Sequence, residues 1–166
     1  MAIPERVRWA VDQMAVAPSH EVLEIGCGVG TAVELISQRL TTGHIVAIDR
    51  SASAIERARL RNADHDTATL LQAGLAELDL GRSFDKIFAI NVNVFWVGPA
   101  ATELRVIRDH LRPGGTLHLF YEPPTPDRVV TLAQSVQEAL TKHGFSAVAT
   151  FAPSMALCAV HAQIEV

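Results

Sequence analysis

The stretch Glu24-Ile25-Gly26-Cys27-Gly28-Val29-Gly30 decides how this chain is read. Before it, Glu21 to Ile25 has the length and apolar character of a short strand. After it, Ala32, Leu35, Ile36 and Leu40 recur at helical spacing up to Gly43, with Thr31 placed as an N-cap. The order is strand, glycine turn, helix. Glycines in such a turn let the backbone reverse sharply, and they let a ligand approach main-chain N–H groups near a helix N-terminus, where anionic groups are favoured. Tight strand-to-helix turns also need glycine for steric reasons alone, so the surroundings must decide.

Downstream, the alternation continues. His44 to Asp49 is a second strand, followed by a helix from about Ser51 to Asn62 in which Ser53 and Glu56 have capping-box spacing. Ala68 to Gln72 is a third strand, Gly74 to Gly81 an irregular segment, and Phe84 to Ile90 a fourth strand. Ala100, Leu104, Ile107 and Leu111 mark a helix, and Pro113-Gly114-Gly115 a turn before a fifth strand, Thr116 to Tyr121. A Pro-rich loop, Glu122 to Pro126, leads to a helix through Val129, Leu132, Ala133, Val136 and Leu140 that ends near Gly144. Phe145 to Phe151 and Ala156 to Val166 then read as a closing hairpin. Upstream, Ile3, Val7, Ala10, Val11 and Met14 give an opening helix within residues 1–18.

Strands alternating with helices imply a doubly wound α/β fold with a mostly parallel sheet, right-handed crossovers and helices on both faces. Such sheets bind ligands beyond the carboxyl ends of their strands, near the point where strand order reverses. Chemistry is therefore expected after Ile25, Asp49, Gln72, Ile90 and Tyr121. Asp49, closing the second strand, is placed to accept hydrogen bonds from the vicinal hydroxyls of a ribose, although a strand-end acid can also cap the next helix.

At 166 residues with 49% hydrophobic and 19% charged residues, the chain has the composition of one globular domain. Its net charge of -4 and scattered Lys and Arg residues argue against duplex nucleic acid as a partner. Charges at Glu5, Arg6, Arg8 and Asp12 interrupt any signal or membrane segment, so a cytoplasmic location is expected. Cys27 and Cys158 lie far apart without metal-binding spacing, and the histidines show none either, so neither a disulfide nor a metal is expected.

A dinucleotide fingerprint, Gly-x-Gly-x-x-Gly, fits in neither frame, because it would need glycine at Thr31 or at Val33. The observed Glu24-x-Gly26-x-Gly28-x-Gly30 instead resembles the first motif of the class I S-adenosylmethionine-dependent methyltransferases. Asp49-x-Ser51 and Leu111-Arg112-Pro113-Gly114-Gly115 resemble further motifs of that family, in the family's order. The resemblance runs from about Val22 to the C-terminal hairpin. It implies a seven-stranded sheet with an antiparallel C-terminal strand over a single domain, residues 1–166, whose Rossmann-like core is residues 19–166.

It also implies S-adenosylmethionine as cofactor. Glu24 would orient the methionine end, the Gly26-Cys27-Gly28-Val29-Gly30 turn would pack against it, and Asp49, with Arg50 beside it, would hold the ribose. Phe84-Asp85 followed by Asn91-Val92-Asn93 matches the family's fourth-strand motif, with Asn91 meeting the cofactor's amino group, or else making a strand-end turn. One departure stands out. Many members carry an acid after the third strand that receives the adenine amino group, but Gln72-Ala73-Gly74-Leu75-Ala76-Glu77 aligns none. Backbone groups near Leu75 and Ala76, or Glu77 with a shift of register, are the substitutes.

Methyl transfer from a sulfonium is an in-line displacement that positioning alone can accelerate greatly. Tyr121, Glu122 and His20 are the conceivable bases for an acceptor that must lose a proton, though loop and surface roles explain Glu122 and His20 better, and no catalytic base is assigned. Phe95 and Trp96 could wall the pocket or belong to the core. Cys27, at a helix N-terminus, could be an activated thiol, but packing among small residues accounts for it better. Few residues are available for a cap, so the expected acceptor is a small molecule in an open cleft or in a site completed by another subunit of a homo-oligomer. A non-catalytic cofactor-binding module acting as scaffold or regulatory subunit is the competing reading.

Overall fold

The computed structural model describes residues 2–154 and 156–166; Met1 and Met155 lie outside the described residues. A helix α1 (Glu5–Gln13) precedes β1 (Glu21–Ile25), α2 (Thr31–Ser37), β2 (His44–Asp49), α3 (Ala52–Arg61) and β3 (Ala68–Gln72). Then come β4 (Phe84–Ile90), the single turn α4 (Val94–Val97), α5 (Ala101–His110), β5 (Leu111–Tyr121), α6 (Val129–Lys142), β6 (Phe145–Phe151) and β7 (Cys158–Ile164).

The strands form one seven-stranded sheet in the order β3-β2-β1-β4-β5-β7-β6. β1 runs parallel to β2 and β4, β2 to β3, and β4 to β5, while β7 is antiparallel to both β5 and β6. The expected α/β architecture with its closing hairpin is present. Central strands covered on both faces must be apolar at nearly every position, and β1 and β2 are buried along most of their length for that reason. Leu23, Ile25, Ile48 and Ile87 face α5 and α6; Val22, Ala47 and Phe88 face α1, α2 and α3. On that second face Trp9 meets Phe120 edge to face at 5.9 Å between ring centres, an arrangement worth roughly 0.5–1.5 kcal/mol beyond its buried area.

Local details depart from the expectations in instructive ways. Thr31 is the first helical residue of α2 and not its cap; Gly30 takes the N-cap position in a left-handed conformation, φ 78°, where no Cβ is tolerated easily. Ser51 caps α3, its Oγ accepting from the Ala54 amide at 3.2 Å, so the Ser53 and Glu56 pair forms no capping box. β5 begins before its turn, at Leu111, because the ladder with β4 resumes at Thr116 after a register shift. Asp85 sits at the opposite end of the sheet from the expected chemistry. Its Oδ2 accepts from the Glu21 amide and from Arg112 Nη1, both at 2.8 Å, and so ties together the start of β1 and the run before the β5 turn.

A polar row crosses the sheet on the α1 side. His118 Nδ1 lies 2.7 Å from His161 Nδ1, so one ring donates and the other accepts. Thr116 and Thr150 hydroxyls satisfy the outer ring nitrogens at 2.8 and 2.9 Å. No helix of the described residues is long and apolar enough to cross a membrane.

Candidate functional site

Strand order reverses between β1 and β4, and the turn after β1 opens a gap at the carboxyl ends of both. Gly26, at φ 69°, lets Val92 close on the turn: a Cβ there would stand 2.7 Å from Val92 Cγ2. The gap widens into a cavity of about 290 Å³ lined by Ile25, Gly26, Ile48, Asp49, Arg50, Ala73, Leu75, Val92, Val94 and Glu103.

Asp49 holds this cavity's shape. Its Oδ2 accepts from the Gly28 amide and its Oδ1 from the Ser51 amide, both at 2.9 Å, which joins the β1 turn to the β2 tip. Each carboxylate oxygen has two acceptor sites, so both retain capacity for ligand hydroxyls. The Cys27 amide completes the tie by donating to Ile48 O at 2.9 Å.

Glu24 lies beneath the turn, 3% exposed, and its Oε2 has no partner among the described residues. Burial, with the nearby Asp49 charge, pushes its pKa up to about 8. An acid left partly unsatisfied in the interior is costly unless a ligand completes its hydrogen bonding. Cys27 is no activated nucleophile: burial, followed by the Glu24 and Asp49 charges, pushes its thiol well above the ordinary range.

Of the sequence-predicted site residues, Gly26, Asp49, Arg50 and Leu75 line the cavity directly. Glu24, in β1, and Cys27, Gly28 and Gly30, in the turn after it, are not among the lining residues. Ala76 is outside the lining, and Glu77 belongs to a neighbouring open groove with Arg50, Gln72, Ala73 and Gly74. Val92, Val94 and Glu103 are lining residues that sequence reasoning missed.

Asn91 belongs to a second, larger cavity of about 710 Å³, which also involves Asn93, Trp96, Tyr121, Glu122 and the start of α6. Asn91 adopts φ 57°, and its Oδ1 accepts from the Glu122 amide at 2.8 Å. The strand-end turn foreseen for it is therefore real, and it joins the tips of β4 and β5. Phe95 and Trp96 divide between the two roles considered: Phe95 is fully buried, while Trp96 is 43% exposed and faces the larger cavity.

Of the three conceivable bases, Tyr121 and Glu122 line the larger cavity, each already holding another partner, and His20 does not. His20 precedes β1 at the far end of the sheet, where its Nδ1 accepts from the Ala17 amide at 3.0 Å. Tyr121 is buried with its hydroxyl donating to Val92 O at 3.0 Å, and burial drives its pKa upward. Glu122 pairs with Arg6 of α1 at 3.2 Å.

Residues 23–117 match the family model described as a methyltransferase domain. Trans-aconitate 2-methyltransferase of Afipia carboxidovorans is 34% identical over 116 residues, covering 68% of this chain and 44% of that protein. Malonyl-[acyl-carrier protein] O-methyltransferase of Priestia megaterium is 30% identical over 96 residues, 58% of this chain and 34% of that protein. The chain thus spans less than half the length of these relatives. Among solved structures, the glycopeptide N-methyltransferase MtfA superposes with a TM-score of 0.81 at 18% identity, covering 99% of this chain and 97% of that one.

Proposed function

Since this chain belongs to the methyltransferase domain family, we propose that it is an S-adenosylmethionine-dependent methyltransferase acting on a small-molecule acceptor. The observation that carries this reading is the pairing of the partnerless Glu24 oxygen with the Asp49 rim across one glycine turn. A buried carboxyl with a partnerless oxygen suits a ligand ammonium, whose positive charge would favour loss of the Glu24 proton, and a strand-end carboxylate with spare lone pairs suits a diol. The residues present fit the cofactor. When bound, S-adenosylmethionine supplies a methyl group on a positively charged sulfur, open to in-line attack by the acceptor.

The chain's own contribution is placement. Asp49 holds the ribose hydroxyls, Glu24 receives the methionine ammonium, and Gly26 lets that portion pass close to the β1 backbone. The acceptor occupies the larger cavity, where Trp96, Pro123, Pro124 and Leu132 supply apolar walls and Asn93, Thr131 and Ser135 supply polar contacts. Holding two reactants in attack geometry replaces a bimolecular encounter and can supply about 7–11 kcal/mol of barrier reduction. Trans-aconitate and malonyl-[acyl-carrier protein] are the acceptors named for the relatives. A small polar acceptor comparable to trans-aconitate, met in the cytoplasm, is part of the same proposal.

Calorimetric titration with S-adenosylmethionine and S-adenosylhomocysteine tests the cofactor reading directly, and binding that weakens in Asp49→Ala supports it. Formation of S-adenosylhomocysteine with any acceptor from a panel of small acids and amines would separate an enzyme from a non-catalytic module. Binding of neither ligand would leave the fold without this function.

A further inference from the structure

We infer that Glu103, on the first turn of α5, is the residue that reads the base of the bound cofactor, accepting the exocyclic N–H of adenine; this rests on the cofactor reading above. The argument starts from direction. Sheet order places β2 and then β3 outward from the β1 turn, so a nucleoside whose ribose meets Asp49 carries its base away from Gly26, between the β3 loop and α5.

There the walls are Ile48, Ala73, Leu75 and Val94, apolar groups suited to the faces of a flat base. The polar lining residues of this cavity are Asp49, Arg50 and Glu103. Asp49 already serves two backbone amides and the ribose. Arg50 has donors only. An adenine amino group needs an acceptor, and Glu103 is the carboxylate left on the cavity wall to provide it.

Glu103 is also well held and uncommitted. It sits on a helix docked by fully buried Leu104 and nearly buried Ile107, with the Leu104 amide bonded to Ala100 O at 2.8 Å. None of the five ion pairs among the described residues includes it. Glu77, the candidate from the sequence, is exposed and lines the neighbouring groove together with Arg50. A Cβ at Gly74 would stand 2.8 Å from Glu77 Oε2 and 3.3 Å from Arg50 Nε, so Glu77 lies against the Gly74 loop beside Arg50, and unlike Arg50 it does not line the cavity.

The chemical consequence is selectivity for a 6-amino over a 6-oxo purine. A carboxylate accepts N–H but repels a carbonyl oxygen, and a site built to pair with a donor discriminates strongly against an analogue lacking it. The test is calorimetric titration of the full chain, and of Glu103→Gln and Glu77→Gln, with S-adenosylhomocysteine and S-inosylhomocysteine. Thermal melts establish that each variant is folded.

The unsubstituted chain and Glu77→Gln should prefer the adenosyl ligand by about tenfold or more. Glu103→Gln should reduce that preference to less than about threefold, since a side-chain amide can donate to the 6-oxo group. An unchanged preference in Glu103→Gln, or its loss in Glu77→Gln instead, overturns the assignment and leaves the cofactor reading intact. Failure of the unsubstituted chain to bind S-adenosylhomocysteine overturns both.

Discussion

The Asp49 carboxylate accepts the Gly28 amide at 2.9 Å, so the acid that closes the second strand also fixes the glycine turn after the first. A ligand reaching Asp49 therefore meets a turn already set in place. Asp49→Ala removes both the turn's anchor and the acceptor proposed for the ribose hydroxyls. Hydrogen bonds to charged groups contribute about 1.5–3 kcal/mol each, so S-adenosylhomocysteine affinity should fall by roughly 10- to 100-fold. Asp49→Asn, which keeps one acceptor oxygen, should lose less. Calorimetry on the two variants checks the order.

Gly26→Ala should damage both the fold and the site. Its φ of 69° is unfavourable for alanine, and the new methyl would stand 2.7 Å from Val92 Cγ2, at the wall of the smaller cavity. Left-handed strain alone costs about 1–2 kcal/mol. Pairing the substitution with Val92→Ala relieves the clash and leaves the backbone strain. Cofactor affinity should then recover more than the urea midpoint does, and equal recovery of both would show that the contact with Val92 is not what limits binding.

Two buried groups give stability opposite pH slopes. Glu24 is pushed from 4.5 up to about 8, so between those values the folded state holds a proton that the unfolded chain has released. Stability from this group is present below pH 4.5 and is lost as pH rises towards 8. His118 is pulled from 6.5 down to about 3, first by burial and then by His161 and Lys86, and His161 is lowered by burial and by Lys86. Between about pH 6.5 and 3 the unfolded state takes up protons that the folded state refuses, so stability falls with acidification. Each proton difference is worth about 1.4 kcal/mol per pH unit. Urea unfolding at pH 4, 5, 6.5 and 8 should show Glu24→Gln gaining on the parent chain as pH rises, and His118→Gln losing less than the parent between pH 6.5 and 4.

The sequence carried most of this architecture because its punctuation is strong. β1, β2, β3, β4 and β6 have the limits expected from apolar runs flanked by glycine, acids or turns. The single turn α4 was not legible, since four residues are too few to show a period. Gly30 as a cap was missed because left-handed capping uses backbone conformation and leaves no side-chain signal. The turn residues and Asp49 could be read from their spacing, whereas Val92, Val94 and Glu103 reach the cavity from elements distant in sequence. His20, weighed as a base, precedes the start of β1 and so lies a strand's length from the carboxyl end where the cavity opens.

Trp96 separates the two halves of the site. It faces the larger cavity and is absent from the lining of the smaller one, and its indole Nε1 donates to Asn93 Oδ1 at 3.3 Å. Trp96→Ala should therefore leave S-adenosylhomocysteine affinity within about twofold while weakening acceptor binding by 1–3 kcal/mol, the loss typical of truncating an aromatic wall, or roughly 5- to 150-fold in apparent acceptor affinity. Since the core depends on fully buried Phe95 and not on half-exposed Trp96, the melting temperature should change little. Parallel cofactor and acceptor titrations make the split visible. A large loss of cofactor affinity in Trp96→Ala would mean that the two cavities work as one, and the acceptor would then have to be sought outside the space between Trp96 and α6.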